Sequence, residues 1–175
     1  SLSDFRSHIT KFDNPTKTFG KAYYEGMRIG DIWGFEVEGL FATDEEAKQY
    51  TSEVLDCSYI NGRMTGGFLA GDLKFMDLDG DGVLGIGANT VDKPGDRKIL
   101  GNTNATLQYG FTLAFDYFGF DVSAFFQGTG NHYWYPNDES MAFWGPYSRP
   151  YCSFIADDFL DHVWAEDNPD AYFPR

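Results

Sequence analysis

The sequence is poor in several residue types on which particular classes of protein depend. Of its 175 residues only two are cysteine, and only 13 are basic against 27 acidic, which gives a formal net charge of −14. A disulfide-dense scaffold is therefore excluded, although Cys57 and Cys152 can pair if the chain lies outside the reducing cytosol. Nucleic acid is excluded as a partner, because phosphate binding requires a basic face.

Enzyme motifs and long apolar runs are also missing. The sequence contains no G-x-S-x-G, P-loop, H-E-x-x-H or C-x-x-C motif, and its three histidines are far apart. Nothing in the sequence selects two of the 27 acidic residues as a glycosidase pair. We therefore predict that the protein is not an enzyme. No apolar run has the length of a membrane-spanning helix, and no signal peptide opens the chain.

The most informative stretch is 107–128, LQYGFTLAFDYFGFDVSAFFQG. Large apolar residues alternate with small or polar ones on both sides of a tight turn at Phe118-Gly119, which predicts a β-hairpin. Each arm has about the 9 to 11 residues that a tilted strand needs to cross a bilayer. Lipid-facing barrel strands and strands of soluble β-sandwiches both alternate in this way, so the pattern alone leaves both structures open. The predicted apolar face of the first arm consists of Tyr109, Phe111, Leu113, Phe115 and Tyr117.

Shorter patterns predict the other elements. Residues 1–12 are predicted to form a strand, and 21–41 short strands broken by glycines. Thr43 and Glu46 form a capping box for a helix from Asp44 to about Ser52. Residues 57–71 are predicted as a glycine-rich loop, and apolar residues at helical spacing between 154 and 164 predict a short amphipathic helix, on which Asp158 and His162 can pair.

The segment DLDGDG begins like the calcium loop of an EF-hand. Asp77, Asp79 and Asp81 occupy positions 1, 3 and 5, where carboxylates converge on one hard cation, and Gly82 permits the sharp bend. The backbone carbonyl of Val83 is the candidate ligand at position 7. The alternative is an acidic turn without a metal, which aspartate and glycine also favour.

Aromatic residues make up 18% of the chain, more than a small core requires. Aromatic rings stack on the apolar faces of sugars and anchor protein interfaces, although packing within long loops is the ordinary alternative. The candidate ligand or partner surface consists of Trp33, Tyr133, Trp134, Tyr135, Trp144, Tyr147 and Tyr151.

Five blocks in series resemble one known family. They are EGMRIGDIWGFEVEGLF (25–41), DLDGDG (77–82), ILGN (99–102), the hairpin, and WAEDNPDAYFPR (164–175). In this order and spacing the chain resembles the C-terminal portion of SusC-like, TonB-dependent outer-membrane receptors of the Bacteroidetes. Arg28 stands where the family favours proline, and Thr103 and Ala105 replace two family prolines.

The resemblance implies an all-β fold, a fragment of a large antiparallel transmembrane β-barrel with long extracellular loops that contain short helices. Within this barrel domain, 1–12 is a strand, 13–106 an extracellular loop region with a calcium-type loop at 77–96, 107–128 the transmembrane hairpin, and 129–175 an extracellular loop. A secretion signal, an N-terminal plug and further strands are expected upstream. In the family pattern an aspartate before a basic residue closes the calcium loop, which implies a role for Asp96, with Asp92 as the alternative.

The function implied by the resemblance is TonB-dependent import of oligosaccharides or peptides across the outer membrane. The implied partners are a SusD-like surface lipoprotein, TonB through parts outside this chain, and outer-membrane lipid. The alternative is a secreted, calcium-stabilised, β-rich module for carbohydrate binding or adhesion.

Overall fold

The computed structural model describes residues 1–61, 67–136, 147 and 155–175. Strands predominate over helices in this part of the chain. The elements are β1 (Leu2–Asp4), β2 (Asp31–Phe35), β3 (Val37–Leu40), α1 (Asp44–Glu53), α2 (Ser58–Asn61), β4 (Leu73–Phe75), β5 (Arg97–Asn102), β6 (Leu107–Tyr117), β7 (Phe120–Gly130) and a 3-10 helix (Phe159–His162). No helix in the described residues is long and apolar enough to cross a membrane.

The strands form three small sheets, in the orders β1-β6-β7, β2-β5 and β3-β4. β1 and β7 pair antiparallel with β6, and β3 pairs antiparallel with β4. The all-β prediction is therefore confirmed at the level of mainly antiparallel β-structure.

The predicted hairpin is present as β6 and β7, each 11 residues long. Pairing continues without interruption from Leu107 opposite Gly130 to Tyr117 opposite Phe120, so β7 is two residues longer than predicted. The two-residue turn has φ values of 49° at Phe118 and 84° at Gly119. Positive φ at both central residues is characteristic of a type I′ turn, whose twist matches that of the flanking strands.

Helix α1 begins where the capping box predicts. The Thr43 hydroxyl accepts a hydrogen bond from the Glu46 backbone N–H (3.1 Å), and the Glu46 carboxylate accepts one from the Ala42 N–H (2.9 Å). The first bond satisfies a helix donor that has no partner within the helix, and the second ties the Glu46 side chain to the residue before the N-cap.

The described chain divides into two compact units, residues 1–33 with 99–135 and residues 34–98 with 136–175. The second unit contains a hydrophobic cluster around the inner face of α1, with Ala47 and Leu84 fully buried. The buried members of this cluster are Phe41, Ala47, Leu55, Cys57, Phe68 and Leu84.

Two predictions for the N-terminal half need correction. The strand predicted over 1–12 is limited to Leu2–Asp4, because the chain beyond it bonds to another segment: the Ile9 N–H donates to the Met27 carbonyl (2.9 Å). The predicted loop 57–71 contains helix α2, at whose start the Asp56 carboxylate accepts from the Ser58 N–H (2.9 Å). This bond satisfies the N–H of the first helical residue, which has no acceptor within the helix.

Near the C-terminus, the described residues contain one short 3-10 helix in place of the predicted amphipathic helix. The helix ends at His162, because the next residue, Val163, is extended (φ −94°, ψ 142°) and forms a bridge with Phe173. Because Val163 is paired in an extended conformation, the helix cannot continue beyond His162. The predicted pair of Asp158 and His162 is present at 3.6 Å and is exposed, where such contacts contribute little.

Candidate functional site

The calcium-type loop is folded by its own carboxylates. Asp77 accepts hydrogen bonds from the backbone N–H groups of Gly80 (2.6 Å) and Gly82 (2.9 Å). Asp79 accepts from the Asp81 N–H (3.2 Å). Both glycines have φ near +76°, a conformation that disfavours other residues. The segment thus turns tightly while its carboxylates remain on the inside of the bend.

Asp96 is fully buried and lies at this loop, although 13 residues lie between it and Gly82 in the sequence. One carboxylate oxygen accepts from the Leu78 N–H and the other from the Gly85 N–H, both at 2.8 Å. The insertion between Gly85 and Asp96 folds back on itself, and the Asp96 N–H donates to the Gly85 carbonyl (3.1 Å). Gly87 and Gly95 allow the two sides of the insertion to approach closely, because a side chain at either position would collide with the opposite backbone.

Carboxylate oxygens of Asp77, Asp79 and Asp96 lie within 4.8 Å of one another. The predicted set also contained Asp81 and the Val83 carbonyl. Asp81 is not part of this group, because its carboxylate instead accepts from the Val83 N–H (2.8 Å). Asp92, the alternative closing residue, is exposed and is not part of the group either.

The electrostatics of the group suit a cation. Partial desolvation raises the pKa of Asp79, and the charges of Asp81, Asp96 and Asp77 raise it further. A divalent ion among the carboxylates would offset this repulsion. Carboxylate oxygens are the ligands that calcium prefers, and an oxygen that accepts one backbone hydrogen bond still has a lone pair for a metal ion. The residues present therefore fit a calcium ion.

The predicted aromatic surface separates into packed and exposed residues. The Trp33 indole donates to the Tyr24 hydroxyl (3.2 Å) and packs against Phe19, while Tyr147 donates to the Pro174 carbonyl (3.1 Å) and contacts the Phe159 ring. These contacts give both residues roles in packing. Trp144 and Tyr151 lie outside the described residues.

Three consecutive aromatic residues follow the end of β7 and are exposed. Tyr133 is 53%, Trp134 68% and Tyr135 59% accessible. Of the seven predicted aromatic residues, these three form the part of the described surface most available to a ligand or partner. Tyr133 also lines a cavity together with Arg6 and Arg28, two residues that the sequence patterns did not indicate.

Cys57 is buried in the core of the second unit and forms no disulfide within the described residues. Burial first, and the negative charges of Asp56 and Asp96 second, raise its pKa to about 11. Cys152 lies outside the described residues, so a Cys57–Cys152 disulfide stays a prediction.

The hairpin has one uniformly apolar face. Cross-strand pairs such as Phe111–Phe126 and Phe115–Val122 place large side chains of β6 opposite those of β7. The rings of Phe111 and Phe126 stack with centroids 4.9 Å apart. Eight large residues of this face are between 43% and 74% exposed, namely Tyr109, Phe111, Leu113, Phe115, Tyr117, Phe120, Val122 and Phe126.

No protein-family model, curated protein or solved structure compared with the chain matches it.

Proposed function

We propose that the chain is part of the wall and extracellular loops of an outer-membrane transporter of the SusC-like, TonB-dependent type. The complete protein would import oligosaccharides or peptides with a SusD-like surface lipoprotein and with energy delivered through TonB. The five sequence blocks support the proposal by their order, and the exposed apolar face of the β6–β7 hairpin supports it physically.

The apolar face of the hairpin is the observation on which the proposal depends. A soluble monomer rarely exposes so many contiguous large apolar side chains. On a lipid-facing strand the same side chains lie in their preferred environment, while the alternate residues face a polar lumen. Thr112, Ala114 and Ser123 fit that second face, since they are small or polar.

The outer edge of β7 gives further support. β7 is the last strand of its sheet in the described chain, so 11 residues present an edge with no strand beside it. A long, apolar edge strand promotes aggregation unless another strand covers it. In a closed barrel the adjacent strand would satisfy these backbone groups.

The test is where the protein partitions. The complete protein, expressed with its secretion signal, is expected in the outer-membrane fraction and to need detergent for extraction. The chain alone is expected to aggregate in buffer without detergent. A monodisperse, folded β-protein in detergent-free buffer would contradict the proposal, because the apolar face would then be stable in water.

That contrary result would favour a secreted, calcium-stabilised binding or adhesion module. The independent hydrophobic cluster of the second unit is the feature that favours this second candidate, because a soluble module needs a core of its own.

We further propose that Asp77, Asp79 and Asp96 bind calcium in a structural role. The ion would offset the repulsion of three carboxylates and tie Asp96, at the end of the 85–96 insertion, to the turn at Asp77 and Asp79. Calcium addition is expected to raise the melting temperature of the protein. Asp79→Asn should remove most of this increase while changing the calcium-free melting temperature little, because Asp79 is exposed. An equal calcium effect in both proteins would contradict the assignment.

A further inference from the structure

A cavity of about 300 Å³ lies within the first unit, between the start of the chain, the end of β5 and the segment after β7. Its lining includes groups of both charges, an amide and an aromatic ring. The residues that matter for its chemistry are Asp4, Arg6, Arg28, Asp31, Asn102 and Tyr133. The volume accommodates a single sugar unit, at the lower end of typical ligand pockets.

The two arginines have no partner for their guanidinium groups in the described part of the chain. Arg97 and Arg175, by contrast, are bonded: Arg97 donates to the Ile86 carbonyl (3.0 Å), and Arg175 pairs with Asp72 (2.9 Å). Arg6 is exposed and Arg28 half-buried, so neither guanidinium group needs a protein partner, and both line the same cavity. Their planar, charged donors suit a carboxylate, which they can bind through two parallel hydrogen bonds.

The carboxylates of the cavity suit hydroxyl donors. The buried Asn102 amide donates to one oxygen of Asp31 (2.9 Å) and to the Ile29 carbonyl (3.0 Å). This network holds Asp31 in place and leaves it lone pairs for a further donor. Asp4, at the end of β1, is exposed. A ligand that carries hydroxyl groups and a carboxylate can satisfy all four charged residues at once.

Tyr133 adds an apolar surface at the same cavity. Its backbone N–H donates to the Asn102 carbonyl (2.9 Å), and its ring lies against Gly101, where a Cβ atom would collide with it. The ring can occupy this position only because residue 101 has no side chain. Half of the side chain remains exposed, which leaves ring surface for stacking against the apolar face of a sugar.

We propose that this cavity binds an acidic sugar unit, with its carboxylate at Arg6 and Arg28, its hydroxyls at Asp4 and Asp31, and its ring face at Tyr133. That such a sugar is transported cargo depends on the proposed function, whereas binding at the cavity does not.

The test is titration calorimetry of the complete, detergent-purified protein with trigalacturonic acid, using its methyl ester as the uncharged control. The acid is expected to bind, and the ester at least about 10-fold more weakly, because the ester loses the charge-assisted hydrogen bonds. Arg28→Gln and Arg6→Gln should each weaken binding of the acid by about 10-fold to 100-fold. Lys48→Gln removes one positive charge from the exposed side of α1 and should leave binding unchanged.

Tyr133 provides a second, independent measurement. Tyr133→Phe retains the ring and should bind the acid like the unchanged protein, whereas Tyr133→Ala should bind it more weakly. Circular dichroism melting of each variant separates lost binding from lost folding. Equal binding of acid and ester, unchanged binding by a folded Arg28→Gln protein, or no binding of the acid at millimolar concentration would each overturn the proposal. An outer-membrane protein that gives one of these results would refute the sugar site and leave the proposed transporter function intact.

Discussion

Replacing Leu113 by arginine tests the orientation of the hairpin directly. Each 11-residue strand is roughly 36 Å long at about 3.3 Å per residue. A tilt of about 40° reduces this to roughly 28 Å, close to the apolar band of about 25 Å on barrel walls. Leu113 is the seventh residue of β6 and therefore lies one residue from the midpoint of the proposed span.

Thr112 is the matched control position, because it lies at the strand midpoint and on the opposite face. Leu113 pairs with Ala124 on the apolar face, whereas Thr112 pairs with Phe125 on the other. An arginine on the lipid face near mid-membrane costs about 2 to 4 kcal/mol. That range corresponds to a roughly 30-fold to 1000-fold loss in the folding equilibrium. Arginine at Thr112 would face the hydrated lumen and should cost less than about 1 kcal/mol.

The assay is equilibrium unfolding of the complete protein in phospholipid vesicles, with urea as denaturant and tryptophan fluorescence as the signal. Leu113→Ala is included to measure the loss of the leucine side chain without an added charge. The orientation predicts that Leu113→Arg is the least stable of the three variants. Equal stability of Leu113→Arg and Thr112→Arg would refute the assigned facing, because lipid would then not distinguish the two faces.

The remaining predictions concern the second unit. Asp96→Ala should lower the free energy of unfolding by about 1 to 3 kcal/mol without calcium, because the partly buried backbone N–H groups of Leu78 and Gly85 lose their acceptor; Asp96→Asn should cost less. Arg175→Ala should cost about 1 to 3 kcal/mol, because it leaves the nearly buried Asp72 without its bidentate partner. Stability should fall between pH 9 and pH 11, the interval between the ordinary pKa of 9.0 and the raised pKa of Cys57, about 11. Across this interval the unfolded thiol loses its proton while the folded one keeps it, at up to about 1.4 kcal/mol per pH unit.

Urea unfolding of the corresponding variants tests all three. Unchanged stability of Asp96→Ala would contradict the first prediction, because the N–H groups of Leu78 and Gly85 would then have other acceptors. Arg175→Lys retains the charge but not the two parallel hydrogen bonds, so it should lie between Arg175→Ala and the unchanged protein. In Cys57→Ala, stability should fall less steeply between pH 9 and pH 11, because the thiol no longer titrates. The same fall in both proteins would show that other groups cause it.

Local sequence patterns predicted those elements whose cause is itself local. The hairpin follows from period-two alternation on both sides of a turn that contains Gly119, a residue that adopts the observed positive φ readily. The start of α1 follows from Thr43 and Glu46, which cap it within four residues. The prediction of a strand over 1–12 failed because part of this segment pairs with residues 26–29. The prediction of a loop over 57–71 failed because a short helix begins where the Asp56 carboxylate accepts from the Ser58 N–H.

The sequence by itself determined the hairpin, the capped helix and the acidic turn at Asp77, because each depends on residues a few positions apart. Only the tertiary structure decided which aspartates share the turn. The Asp81 carboxylate, next in the motif, accepts from the Val83 N–H, whereas Asp96 returns through an insertion that closes where Gly87 and Gly95 meet. The cavity with Arg6, Arg28 and Tyr133 likewise joins residues more than 100 positions apart. Such groupings depend on contacts between segments that are distant in sequence, and local sequence patterns do not predict these contacts.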